Sequence, residues 1–226
     1  MKQIPLSLPH DAAMGADDFL ITPSNREAVT WVDKWPDWPA HGLVLTGLSG
    51  SGKTHLLNLW LGKSGGRLIT VAELTRQNAV ALTATTNALA LDDADTIAGN
   101  PAAEESLFHL YNHLKEIKGF LLLTMPCGVG QVGFALPDLR SRLLTLPATG
   151  LGAPDDALLE ALIVKQFRDR QITVDSGVVT YLASRAARDA ASIRDLIERL
   201  DRAALAEGRK ITTALARALL EGKEDA

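Results

Sequence analysis

The sequence has one cysteine, Cys127, in 226 residues. That excludes an internal disulfide and any zinc site built from several thiolates. Aromatic residues make up only 5%, and there is no basic excess: 23 Lys and Arg stand against 27 Asp and Glu, a net charge of −4. Such a chain has no general field to hold it on a polyanion, so autonomous, sequence-specific binding of DNA is not expected. Long apolar runs are also missing. Nothing approaches the roughly 18 consecutive apolar residues of a membrane span, and the first stretch, broken by Pro5 and Pro9, is too short for a signal peptide. These absences predict a soluble, cytoplasmic protein without membrane contact. The rest is ordinary for a packed core, with 46% hydrophobic and 22% charged residues, and the length suits one large domain with a small appendage.

Against that background one stretch stands out. Residues 47–54 read Gly-Leu-Ser-Gly-Ser-Gly-Lys-Thr, a complete G-x-x-x-x-G-K-[ST] phosphate-binding loop. Gly47, Gly50 and Gly52 permit positive φ, so that the N–H groups of Ser49, Ser51 and their neighbours face one anion. Lys53 would reach the β- and γ-phosphates, and the Thr54 hydroxyl would enter a Mg²⁺ shell. Leu43–Thr46 reads as a buried strand and His55–Leu61 as a helix, which puts the loop at a helix N-terminus, where anions are favoured. A flexible Gly-Ser turn that binds nothing is the plain alternative, and the flanking strand and helix argue against it.

Further short apolar runs fall at 68–71, 88–91, 120–124 and 143–146. Helical segments separate most of them, clearest at 104–118, where Leu107, Leu110, Tyr111 and Leu114 make an i, i+3, i+4, i+7 stripe. Ser24 and Glu27 have the spacing of a capping box. Strands alternating with helices after a phosphate loop predict a parallel, helix-covered α/β sheet of five strands. After Gly150-Leu151-Gly152-Ala153-Pro154 the pattern changes to helices only, about 155–168, 176–187, 191–206 and 212–221, with Asp175 and Thr212 as caps. The expected organisation is an arm (1–17), an α/β domain (18–152) and a helical lid (153–226).

Leu89-Ala90-Leu91 ends in Asp92-Asp93. At the carboxyl end of a parallel strand, Asp92 would face the phosphate crevice and support Mg²⁺, and Asp93 could polarise an attacking water. Acidic turn residues after a strand are common, so this pair is informative only together with Thr54. Arg140 and Arg142, in an exposed turn after the fourth strand, read either as solvated surface or as an arginine finger directed at a γ-phosphate across an interface. Arg194 beside the stripe Ile193, Leu196, Ile197 and Leu200 reads from spacing alone as a surface residue of an amphipathic helix.

Taken together, Gly52–Leu57, Asp92-Asp93, Glu105–Asn112 and Leu136–Leu143 resemble the AAA+ module of the DnaA family of bacterial replication initiators. Asp18-Phe19 with Pro23-Ser24-Asn25-Arg26 is similar to that family's segment bordering the adenine. The similarity covers about residues 18–221. A chain that ends before DnaA's helix-turn-helix domain and carries only a short arm in front resembles the Hda-like regulators of DnaA. That resemblance implies an AAA+ P-loop NTPase with ATP or ADP and Mg²⁺ as cofactors. It implies that Gly47, Ser49, Gly50, Ser51, Gly52, Lys53, Thr54, His55, Phe19, Asn25 and Arg194 line the nucleotide, Arg194 as the lid arginine. By the same carry-over Thr124 is the polar sensor and Arg142 is the finger, while Thr54 and Asp92 serve the metal and Asp93 the attacking water. The arm segment Gln3-Ile4-Pro5-Leu6-Ser7-Leu8 resembles the hexapeptide that docks on the DNA-polymerase sliding clamp (beta subunit), with Gln3, Ile4, Leu6 and Leu8 in its pockets.

Two departures qualify this. Thr124-Met125-Pro126 stands where the family has a Thr-Ser-Asp type of run, which implies at most weak intrinsic hydrolysis. Between Val71 and Leu89 there is room for one short helix instead of two, so single-stranded DNA handling and filament formation are not expected; a homo-oligomer is left open. The expected function is a regulator that docks on the clamp and promotes hydrolysis of DnaA-bound ATP. The alternatives are a self-contained AAA+ ATPase, such as a helicase loader or clamp-loader-like motor, and a P-loop small-molecule kinase.

Overall fold

The computed structural model describes residues 20–222. In chain order the elements are α1 (Arg26–Asp33), β1 (Gly42–Thr46), α2 (Lys53–Ser64), β2 (Arg67–Leu68), α3 (Val71–Arg76), α4 (Ala79–Leu82), β3 (Ala88–Leu91), α5 (Pro101–Glu116), β4 (Phe120–Met125), α6 (Pro137–Leu144), β5 (Ala148–Gly150), α7 (Asp156–Asp169), α8 (Ser176–Ala183), α9 (Ala190–Glu207) and α10 (Thr213–Leu220). The five strands form one sheet in the order β2-β3-β4-β1-β5, and every neighbouring pair is parallel.

Strand parity assigns the two faces. Leu43 and Leu45 of β1, Ala88 and Ala90 of β3 and Leu122 of β4 pack with Ala28, Val32, Leu56, Leu57 and Trp60 of α1 and α2. The intervening residues Val44, Leu89, Leu91, Leu121 and Leu123 pack instead with α3–α6 through Leu74, Leu82, Leu107, Leu110, Leu139 and Leu143. Burial on both faces is why these strands read as continuous apolar runs. The small Ala88 and Ala90 lie on the face that receives the fully buried Trp60, whose ring stacks on Trp38 at 5.7 Å between centroids. Burying a side chain of that size contributes a few kcal/mol to seating α2, and with it the loop at its N-terminus.

The helical unit α7–α10 has its own core, built from Leu159, Ile163, Phe167, Leu182, Ile197, Leu200 and Leu215. Side chains of Asp155, Asp189 and Thr212 cap the backbone N–H groups of Leu158, Ser192 and Leu215 at 2.9, 2.7 and 3.3 Å, each cap contributing about 1 kcal/mol. Asp175 holds the N-cap position of α8 but makes no side-chain cap bond. No helix among the described residues is long and apolar enough to cross a membrane.

Several sequence expectations are corrected. The run 143–146 is not a strand: Leu139 and Leu143, four apart, are the buried stripe of α6, and the last strand follows at 148–150. The segment 136–143, expected to be an exposed turn, is therefore the body of α6. In the run 68–71 only Arg67–Leu68 pairs as a strand, because Thr70 starts α3 in a reciprocal capping box with Glu73. Two short helices, α3 and α4, occupy the stretch where one was expected. Helix α1 begins at Arg26 with Asn25 at its N-cap, and the Ser24 hydroxyl pairs with that of Thr22 at 2.7 Å instead of capping.

Candidate functional site

The phosphate loop leaves the carboxyl end of β1 and enters α2 without a break. Gly52 is the N-cap of α2 with φ +98, a left-handed conformation that side chains avoid. At Gly47 a Cβ would lie 2.6 Å from the Leu151 carbonyl oxygen, so glycine lets the loop close against the strap that follows β5. Leu151 donates its N–H to Thr46 at 2.7 Å, fixing that strap.

Lys53 lies within the loop. Its Nζ donates to the carbonyls of Gly47 and Leu48 at 2.8 and 3.1 Å. Its side chain is buried, and no carboxylate pairs with it among the described residues. Close by, the buried Ser51 hydroxyl has no hydrogen-bond partner. The Lys53 ammonium makes no direct ion pair and the Ser51 hydroxyl beside it is unsatisfied, and an anion in the loop would partner both. Ser49 and Gly50 form the loop's outer turn, and half-buried His55 lies in the first turn of α2.

The acidic corner follows from strand parity. Asp92 continues the Ala88, Ala90 side of β3, and Thr124 continues the Leu122 side of β4, so both face α2. The Thr54 hydroxyl donates to Asp92 Oδ2 at 2.8 Å. The fully buried Thr124 hydroxyl donates to Asp92 Oδ1 and accepts the Asp93 N–H at 2.8 Å. Asp93 itself ends the strand with φ +49. Partial burial pushes its carboxyl up from the usual aspartate value and neighbouring Asp92 adds to this, while Lys53 opposes it.

The other expected residues lie apart from this cluster. Asn25 is buried and shapes the wall of the segment before α1: its amide donates to Leu20 O and accepts from Thr22 N, both at 2.9 Å. Ser24 O in turn accepts the N–H of Gly152 at 2.8 Å. Arg194 is exposed on α9, opposite the buried Ile193, Ile197 and Leu200, with no hydrogen bond to the loop. Arg142 is exposed in the last turn of α6, and its guanidinium has no hydrogen-bond or ion-pair partner among the described residues. Helix α6 runs back from the end of β4 to the start of β5, while the phosphate loop leaves the opposite end of β1. No hydrogen bond or ion pair joins Arg142 to its own loop among the described residues. Phe19 and the arm residues Gln3, Ile4, Leu6 and Leu8 lie outside the described residues. Sequence reasoning missed Glu104, a fully buried carboxylate at the start of α5. Its signal was a Glu three positions before Leu107, on the core-facing stripe.

A parallel sheet in this order, with a phosphate loop after β1, an acidic pair after β3, a polar residue on β4 beside them and a helical unit appended, defines the AAA+ class of P-loop proteins. Residues 155–220 match the family model described as the Hda lid domain. The chain is 27% identical to the chromosomal replication initiator protein DnaA of Cutibacterium acnes over 190 residues, covering 75% of this chain and 38% of that protein. It is 26% identical to a Haemophilus influenzae protein described as uncharacterized, over 97% of this chain and 98% of that one. Domain III of the Thermotoga maritima replication initiation protein DnaA is similar in structure, with a TM-score of 0.80 at 19% identity, covering 94% of this chain and 97% of that chain. AMPPCP-bound DnaA from Aquifex aeolicus has a TM-score of 0.68 at 17% identity, covering 82% and 64%. The chain therefore has the fold of DnaA domain III, and its helical unit is similar to the Hda lid domain.

Proposed function

We propose that this protein binds an adenine nucleotide in its own phosphate loop and uses Arg142 on ATP held by DnaA, in the regulation of replication initiation. The loop fits a polyphosphate: the Lys53 ammonium, which has no direct ion pair, and the orphaned Ser51 hydroxyl both gain partners from one. Thr54 and Asp92 supply hard oxygen donors 2.8 Å apart, the kind Mg²⁺ takes alongside its waters. That metal would neutralise charge between phosphates, with Thr54 and Asp92 holding it. AMPPCP on the Aquifex DnaA supports an adenine nucleotide here, with Arg194 of the lid and the segment around Asn25 and Phe19 as further contacts. The N-terminal arm, through Gln3, Ile4, Leu6 and Leu8, tethers the protein to the sliding clamp and raises its effective concentration near DnaA to roughly millimolar.

The observation that carries this reading is the exposed guanidinium of Arg142, which has no partner among the described residues and no bond to its own loop. A guanidinium so placed serves charge on a neighbouring molecule. The test is hydrolysis of DnaA-bound ATP in the presence of clamp-loaded DNA. The wild-type protein is expected to accelerate it and Arg142→Ala to leave it at the rate of DnaA alone; equal acceleration by the variant would refute the finger. Clamp binding that survives Gln3→Ala with Leu6→Ala would remove the tether.

A second reading has an observation behind it as well. Lys53, Thr54, Asp92 and Asp93 are all assembled, which is the equipment of a self-contained ATPase. Sustained ATP turnover by the purified protein alone, lost on Arg142→Ala, would favour that reading over action in trans.

A further inference from the structure

Glu104 is the only fully buried carboxylate among the described residues. It lies one turn into α5, and no cation pairs with it. Its Oε1 accepts the N–H groups of Gly99 at 2.7 Å and Ala135 at 3.0 Å, and its Oε2 accepts that of Leu136 at 2.6 Å. Taking a carboxylate out of water costs several kcal/mol, and only strong hydrogen bonds to the charge offset it. A leucine would fill the same space without that cost. A carboxylate does what a leucine cannot: it grips the backbones of two separate loops at once.

The identity of the two loops matters. Gly99 closes the segment that leaves β3 through Asp92, Asp93 and a 3-10 turn at Ala94–Ile97. Ala135 and Leu136 lead into α6, where Leu136 is the N-cap and its own side chain makes no cap bond. The Glu104 carboxylate instead holds the N–H groups of Leu136 and of Ala135 just before it, at the end of α6 where negative charge is favoured. One side chain therefore ties the acidic corner of the nucleotide site to the start of the helix that carries Arg142. Helix α6 is only eight residues long, so Arg142 moves with its first turn. At a rise of about 1.5 Å per residue, Arg142 lies roughly 9 Å beyond Leu136, and a tilt of about 10° there moves its Cα by roughly 1.5 Å. Misplacement of a catalytic group by about 1 Å can cost on the order of 100-fold in rate.

We propose that Glu104 is a positioning residue: it holds α6 in register with the Asp92–Gly99 segment and acts on partner-bound ATP only through Arg142. This rests on the reading that Arg142 serves a nucleotide bound to DnaA. The test substitutes Glu104→Gln, whose amide NH₂ must face one of the three N–H donors. The maximal rate of DnaA-bound ATP hydrolysis is expected to fall roughly 10- to 100-fold. The concentration giving half-maximal stimulation and the affinity of the protein for fluorescent ADP should each change less than about twofold, because no binding group is touched. A purely structural role would instead weaken ADP binding or raise the concentration giving half-maximal stimulation, and either result overturns the proposal. So does full stimulation by Glu104→Gln when Arg142→Ala has none. If Arg142→Ala itself stimulates fully, it is the trans-acting finger that fails, and Glu104 loses its role with it. Should Glu104→Gln not fold by circular dichroism, Glu104→Asp keeps the charge on a shorter arm. It is expected to lose maximal rate alone, and wild-type stimulation by it would overturn the proposal.

Discussion

The phosphate loop and helix α6 sit on one sheet and are built on opposite plans. Around the loop the chain engages its own groups: Lys53 bonds the carbonyls of Gly47 and Leu48, Thr54 bonds Asp92, and Thr124 bonds Asp92 and the Asp93 N–H. On α6 the backbone is tied down through Glu104 and the side chains of Leu139 and Leu143 are buried, yet the Arg142 guanidinium has no hydrogen-bond or ion-pair partner among the described residues. One region is organised to hold a ligand inward, the other to present a charge outward. The difference teaches that a loop closed on its own groups and an arginine left free on a neighbouring helix are separable properties of this fold.

The largest expected effect breaks the outward half. Arg142→Ala should lower stimulation of DnaA-bound ATP hydrolysis by about 10³-fold or more, the range over which arginine fingers act. Binding of ADP to the variant, measured by calorimetry, should match wild type. A fall in ADP affinity would instead mean that Arg142 belongs to its own site and the contrast is false. Next in size, Lys53→Ala attacks the inward half. Losing charge-assisted bonds to phosphate, about 1.5–3 kcal/mol, should weaken adenine-nucleotide binding roughly 10- to 150-fold by the same calorimetry, without unfolding the chain.

A smaller effect sharpens how the inward half is held. Thr124→Val keeps the shape of the side chain but leaves Asp92 Oδ1 and the Asp93 N–H without that partner. Destabilisation of about 1–3 kcal/mol is expected in urea unfolding, equivalent to a few degrees of Tm for each kcal/mol in a domain of this size. An unchanged unfolding midpoint would show that the acidic corner stands without Thr124.

How much of this was legible in the sequence differs between the same two regions. The loop is a contiguous motif, so spacing alone located it. The place of Asp92 and Thr124 near the carboxyl ends of their strands was legible too, but the face each takes was not, because strands buried on both faces read as continuous apolar runs. The α6 region was harder. Leu143-Leu144 looked like the start of a strand because a short apolar run does not reveal its period, and only packing of Leu139 with Leu143 against α5 decides for a helix. Thr70 was counted into a strand because Glu73, its capping partner, lies beyond the apolar run. Glu104 escaped because its three partners are backbone N–H groups, which a sequence does not display.

The smallest effect concerns proton linkage, and here the two regions should respond with opposite sign. The Asp93 carboxyl is raised above its usual value, by burial first and by Asp92 second. Its ionisation therefore costs stability above the folded-state pKa, and that cost disappears once pH falls below the unfolded value. Asp93→Asn removes the charge, and asparagine tolerates the left-handed backbone at φ +49. The variant should unfold at higher urea than wild type at neutral pH and lose this advantage in acid. Glu104 is the reverse case: burial alone would raise its pKa, but the N–H bonds from Leu136, Ala135 and Gly99 prevail and lower it. Its contribution is present above the unfolded value and is lost as pH falls through the folded one. Glu104→Gln should thus be less stable than wild type at neutral pH, with the gap narrowing in acid. If both variants shifted stability in the same direction across that window, the acidic corner would not be crowded against its own charge, and the contrast between a strained ligand site and a relaxed structural tie would fail.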